Sequence, residues 1–84
     1  MPKVIYEPGA WEQYVDLPLP IQARVVAMLD RLESWPDVSG AKPLRGSLVG
    51  KYRLRTGDFR IQFRVTGDMV LVEKIGHRDS FYEE

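Results

Sequence analysis

The chain has 84 residues, with twelve Lys/Arg balanced by twelve Asp/Glu, one histidine and no cysteine. That length accommodates a single domain, 1–84, built on one core. The missing cysteine excludes disulfides, thiolate zinc clusters and a cysteine nucleophile. With no secretory signal pattern and no apolar run near the roughly 20 residues that cross a bilayer, the expectation is a cytoplasmic protein that stays out of membranes.

In chain order, Val4-Ile5-Tyr6 is a short apolar run closed by Pro8-Gly9 and reads as a first strand. From Ala10, the residues Trp11, Tyr14 and Val15 follow helical spacing, and Pro18 ends that helix. A second helix begins near Pro20, with Ile21, Val25, Met28, Leu29, Leu32 and Trp35 on one stripe, and Pro36 stops it. The short link makes the two helices an antiparallel hairpin. Trp11, Met28 and Trp35 are expected to pack in the core or between helices.

Residues 36–50 carry two prolines and three glycines and read as a loop. Three strands follow at about 51–56, 58–66 and 69–77, joined by Thr56-Gly57-Asp58 and Thr66-Gly67-Asp68, with Gly and Asp as turn formers. The fold class is therefore α+β: a strand, a helix hairpin, then three antiparallel strands, with the helices on one sheet face. The last strand is apolar on both sides at its start, as an interior strand is.

Zero net charge conceals a segregation. Residues 1–41 carry net −3 and residues 42–78 carry net +6, while the last six return −3. Alternation puts Tyr52, Leu54, Phe59, Ile61, Phe63 and Val65 toward the helices, and Lys51, Arg53, Arg55, Arg60, Gln62 and Arg64 on the uncovered face. Tyr52 and Phe59 are thus expected in the core. A sheet face lined with arginine suits a phosphate backbone, and Gly76-His77-Arg78 should emerge at its rim. Lys42 and Arg45, in or near the loop, are candidate RNA contacts together with Lys51 and Arg64. No carboxylate cluster suits a metal, and no cofactor is implied.

Leu44-Arg45-Gly46, Tyr52-Arg53-Leu54-Arg55, Gly57-Asp58-Phe59-Arg60-Ile61, Ile75-Gly76-His77-Arg78 and a late Tyr82, in this order, resemble the RelE/ParE superfamily of bacterial toxins from toxin–antitoxin pairs. The resemblance spans essentially the whole chain and implies a RelE-like fold. It also implies one of two activities. Toxins like RelE cut messenger RNA in the ribosomal A site, whereas toxins like ParE poison DNA gyrase. Arg53 and Arg55 fall where the ribonuclease branch has strand cations, Arg60 matches its next-strand arginine, and Arg78 and Tyr82 match its final pair. His77 stands where that branch has a lysine. Two departures are arginine in place of lysine on the first of these strands, and an end two residues after Tyr82 with no further helix.

The resemblance thus implies a metal-independent, ribosome-dependent endoribonuclease in which the RNA 2′-OH attacks the adjacent phosphate. In that chemistry His77 is the natural titrating base. Arg53, Arg55 and Arg60 hold the phosphate, Arg78 orients the leaving side, and Tyr82 stacks on a base or bonds the phosphate. The implied partners are a cognate antitoxin and messenger RNA in the ribosomal A site, with operator DNA reached only through the antitoxin. The alternatives are a non-nuclease toxin acting on gyrase, and an inactive chain serving only in an autorepressor complex.

Overall fold

The computed structural model describes residues 2–81. A five-stranded sheet of order β1-β5-β4-β3-β2 is built from β1 (Lys3–Tyr6), β2 (Lys42–Pro43), β3 (Lys51–Thr56), β4 (Phe59–Thr66) and β5 (Met69–His77). β1 lies parallel to β5 and every other pairing is antiparallel. Two helices, α1 (Pro8–Val15) and α2 (Leu19–Arg31), precede β2, and a short α3 (Arg78–Phe81) follows β5.

α1 starts at Pro8, two residues ahead of the sequence expectation. Glu7 stays extended and donates its N–H to Val72 O at 2.9 Å, so the β1–β5 ladder runs into the helix. Proline is suited to that first helical turn, where its missing N–H has no intrahelical partner to lose. Past the end of β1 the edge of β5 is taken over by α1, and Gln13 Oε1 accepts the Ile75 N–H at 2.8 Å. The side-chain amide stands in for the strand partner that β1 is too short to supply.

α2 tightens into a 3₁₀ turn at Leu32–Ser34 before Trp35 and Pro36. Its apolar stripe meets the sheet. Val25, Met28, Leu29 and Leu32, with Ala10 of α1, close on Leu54, Ile61, Phe63, Val70, Val72 and Ile75. Burying each large side chain of this set is worth about 1.5–3 kcal/mol. Trp35 adds an edge contact to Tyr52 and Phe63, at centroid distances of 4.7 and 5.4 Å, which ties the end of α2 to β3 and β4.

Three expectations are corrected. The loop over 36–50 contains β2, paired to β3 through Lys42↔Arg53 and Pro43↔Tyr52. Pro43 is tolerated there because β2 is an edge strand. Trp11 is half exposed, at 51%, and stacks on Tyr14 at 5.4 Å outside the core. A further helical turn, α3, does follow the last strand.

Candidate nucleic-acid interface

Side chains directly opposite one another in an antiparallel pair share a face, so the registers map the uncovered side of the sheet. Lys42, Arg53, Gln62 and Lys74 form one row across β2, β3, β4 and β5, and Arg55, Arg60 and Gly76 form the next. Lys51 and Arg64 form a row on the other side of the first. Cations from four strands therefore meet on the face opposite the helices. This follows from strict alternation in β3 and β4, where Leu54, Ile61 and Phe63 are buried and their neighbours are not.

β5 reaches the same result by breaking alternation. Gln62 pairs with Lys74 but Phe63 pairs with Val72, so Glu73 is the extra residue of a β-bulge. The bulge keeps Val72 and Ile75 both in the core while Glu73 and Lys74 both leave it. Glu73 then lies among the cations, its side chain only 10% exposed. One carboxylate oxygen meets Lys51 Nζ at 3.2 Å and accepts a hydrogen bond from Gln62 Nε2 at 3.2 Å; the other lies 3.8 Å from Arg64 Nη1. Two of the candidate RNA-contacting cations are thereby paired within the protein.

The far side of the face has a different character. Among the described residues, a small hollow of about 30 Å³ is lined by Gly40, Lys42, Arg53 and Arg55. Gly40 has φ +89°, a backbone shape that L side chains rarely adopt, and a Cβ placed there would stand 3.9 Å from Leu54 Cδ2.

The turn between β3 and β4 organises the other candidates. Arg60 donates from Nη1 to Gly57 O at 3.0 Å and to Phe59 O at 3.3 Å. Arg78 donates its backbone N–H to Asp58 O at 2.7 Å, and its Nε lies 3.7 Å from carboxylate oxygens of both Asp58 and Asp79. Asp58 is thus an anchor for the end of β5 as well as a turn residue. Both arginines lean on the turn at one end of the open face.

His77 is placed apart from the arginine rows. It pairs with Phe59 across β4 and β5, on the helix side of the sheet, and the two rings meet edge to face at 5.3 Å. Its Nδ1 accepts the Asp79 N–H at 3.1 Å and lies 3.5 Å from Asp79 Oδ2. Phe59, expected in the core, sits with His77 at the sheet end outside the buried cluster. Arg45 is exposed in the connection between β2 and β3, and Tyr82 lies outside the described residues.

α3 folds back over the open face. A Cβ placed on Gly76 would stand 3.5 Å from the Phe81 ring, Phe81 is 3% exposed, and Lys74 donates to Phe81 O with its ammonium 4.7 Å from that ring. Gly76 thus leaves room on the basic face for an aromatic cover. Among the described residues no group of His, Asp or Glu could hold a metal, and no helix is long and apolar enough to cross a membrane.

Neither a family model nor a curated protein sequence matches the chain. Solved structures do. A chain of the toxin–antitoxin complex RelBE2 from Mycobacterium tuberculosis is 28% identical, with 92% of this chain and 91% of that one covered at a TM-score of 0.79. A chain of the RelB–RelE antitoxin–toxin complex from Methanococcus jannaschii is 21% identical over 94% and 95%, at 0.78. The YoeB/ParE toxin from Agrobacterium tumefaciens is 18% identical over 89% and 96%, at 0.75. The chain thus has the fold of the RelE/ParE toxins.

Within this RelE-like domain, sequence reasoning brought Arg53, Arg55 and Arg60 to one face but missed Glu73, Lys74, Gly40 and the Phe81–Gly76 contact. Glu73-Lys74 carried the one available signal: two adjacent charges inside a buried strand cannot both face solvent without a bulge.

Proposed function

We propose that this chain is the toxin of a type II toxin–antitoxin pair and that it cuts messenger RNA in the ribosomal A site, acting in the cytoplasm. The observation that carries this reading is the open sheet face, where Lys42, Arg53 and Arg55 line a hollow beside Arg60. Guanidinium groups in fixed strand positions bind a phosphodiester through paired N–H donors and stabilise the charge that develops as the 2′-OH attacks phosphorus and the 5′ oxygen leaves. Arg78, held beside Asp58, is positioned for the leaving side. Tyr82, the residue after α3 in sequence, would stack on a base or bond the phosphate.

His77 lies across the sheet from Arg53 and Arg55, and in the neutral ring its proton is on Nε2, because Nδ1 accepts the Asp79 N–H. The face is therefore equipped for binding and charge stabilisation, and proton transfer by His77 requires the end of β5 to open. A ribosome that aligns the RNA and contributes to proton transfer accounts for that division, and cleavage is expected only on translated RNA. A cognate antitoxin of acidic character would cover the basic face, and any operator DNA would be bound through the antitoxin. The displaced His77 favours one second reading, a non-nuclease toxin acting on a protein target such as DNA gyrase.

Primer extension on messenger RNA in a reconstituted translation mixture tests the reading. Discrete cuts that require ribosomes and fall about 10²–10³-fold in Arg53→Ala and Arg55→Ala are expected. His77→Ala is expected to cost less than either. Intact messenger RNA and unaffected translation, with inhibition of gyrase supercoiling instead, would replace the nuclease by the second reading.

A further inference from the structure

We propose that the aromatic cavity between β1, α1 and α2 is a binding site for one organic cation, a guanidinium or alkylated ammonium group. Its volume is about 220 Å³, and Tyr6, Trp11, Tyr14, Val26 and Leu29 line it. That is below the roughly 300 Å³ at which sites for drug-sized ligands begin, and it suits a single headgroup. Tyr6 shares the parity of Val4, which packs on the core, so the cavity lies on the helix side of the sheet and a ligand here leaves the basic face untouched. Three rings in series form the wall. Trp11 is the middle one, 6.0 Å from Tyr6 at an interplanar angle of 42° and 5.4 Å from Tyr14 at 30°. Ring faces carry partial negative charge and attract a weakly hydrated cation, which guanidinium and methylated ammonium groups are. The charges nearby have the same preference. Asp30 and Glu33 follow Val26 and Leu29 at i+4, one turn beyond the lining residues. After burial, their carboxylates are the main causes that raise the pKa of the Tyr6 phenol, so their field reaches the cavity wall. The three cations of residues 1–41 are turned elsewhere: Lys3 has the opposite parity to Tyr6, Arg24 Nη1 lies 3.7 Å from a Cβ placed on Gly57, and Arg31 donates to Ser39 O. An anion is repelled here, and a neutral apolar group leaves the carboxylates unused.

Choline and its neutral carbon isostere, in which a tert-butyl group replaces the trimethylammonium, have the same shape and differ in charge alone. The indole N–H resonances of the full chain report on binding, because Trp11 lines the cavity while Trp35 packs against Tyr52 and Phe63. Choline, titrated at constant ionic strength, should shift the Trp11 signal and leave that of Trp35 in place. The isostere should bind about tenfold more weakly. The double variant Asp30→Asn/Glu33→Gln keeps the size of both side chains and should weaken choline about fivefold without changing the isostere. Capped N-acetylarginine methylamide, titrated in the same way, separates the two sources of such a cation. Tighter binding than choline assigns the site to an arginine presented by a polypeptide, and weaker binding assigns it to a free ammonium compound; either supports the site. Equal affinity for choline and its isostere, unchanged choline affinity in the double variant, or a Trp11 indole that neither cation moves overturns the proposal and leaves the reading of the basic face as it stands.

Discussion

Phe81→Ala should release α3 from the sheet without unfolding the domain. Phe81 is 3% exposed yet lies outside the main buried cluster, resting on Gly76 and beneath Lys74 on the face opposite the helices. A phenylalanine removed from an enclosed core costs about 3–5 kcal/mol, because the cavity left behind adds to the lost transfer energy. Here α3 has four residues and packs outside the main buried cluster, so it can move away and no cavity persists. The transfer part alone, about 1.5–3 kcal/mol, then sets the loss. It falls on the docking of α3, which is also held by the Arg78 N–H to Asp58 O and by Lys74 to Phe81 O. At about 2 kcal/mol the docked-to-undocked ratio falls roughly thirtyfold. Native-state hydrogen exchange at the Arg78 amide should accelerate by that factor, while the melting temperature moves far less than in Phe63→Ala, a fully buried core position. At roughly 4–8 °C per kcal/mol for a domain of this size, the two variants are well separated in a thermal melt. Equal falls in melting temperature, with Arg78 exchange slowed to the global rate, would refute the reasoning and make Phe81 part of the single cooperative core.

Gln13→Leu should cost about 1–3 kcal/mol, because the Ile75 N–H loses its acceptor at the β5 edge, while Gln13→Glu, which keeps an oxygen there, should stay close to wild type; urea unfolding distinguishes them. Burial, with the nearby Asp30 and Glu33 carboxylates and Tyr14, raises the pKa of the Tyr6 phenol above its ordinary 10.0. The folded state therefore holds this proton more tightly than the unfolded chain, so its contribution is complete below pH 10.0 and is lost as pH rises from there through the folded value. Stability measured across that alkaline window should fall less steeply in Tyr6→Phe than in wild type.

Much of this architecture was legible because the local rules agree with one another. Pro18 and Pro36 bound the second helical segment, two Thr-Gly-Asp turns space β3, β4 and β5, and alternation in β3 and β4 assigns the faces of Leu54, Ile61 and Phe63 correctly. Gly57 and Gly67 take φ of +58° and +56°, the conformation those turns require. What stayed hidden depends on contacts that no local pattern encodes. β2 is two residues long and exists only because β3 offers it a pairing edge. Phe59 keeps the parity of a core residue but lies past the end of the helical cover, so its ring is left to His77. His77 was expected with the arginines because sequence proximity to Arg78 suggested a shared site. The register instead places it on the parity of Ile75, across the sheet.

The bulge at Glu73 links these two kinds of information. Strict alternation onward from Val72 would have driven Lys74 into the core and Ile75 out to solvent, an arrangement that costs a buried charge and an exposed apolar side chain. Inserting Glu73 corrects the phase, and everything after it in β5 inherits the shift: Ile75 enters the core, Gly76 opens onto the basic face, and His77 turns to the helix side. The same residue that repairs the core thus removes His77 from the arginine rows and places a carboxylate between Lys51 and Arg64. Deleting Glu73 would leave Val72 and Lys74 adjacent, facing Phe63 and Gln62 in unbroken alternation, and so would change the backbone along with the charge. A substitution that keeps the backbone and changes only the charge, as Glu73→Gln does, is therefore the perturbation that separates its role in the fold from its role on the surface.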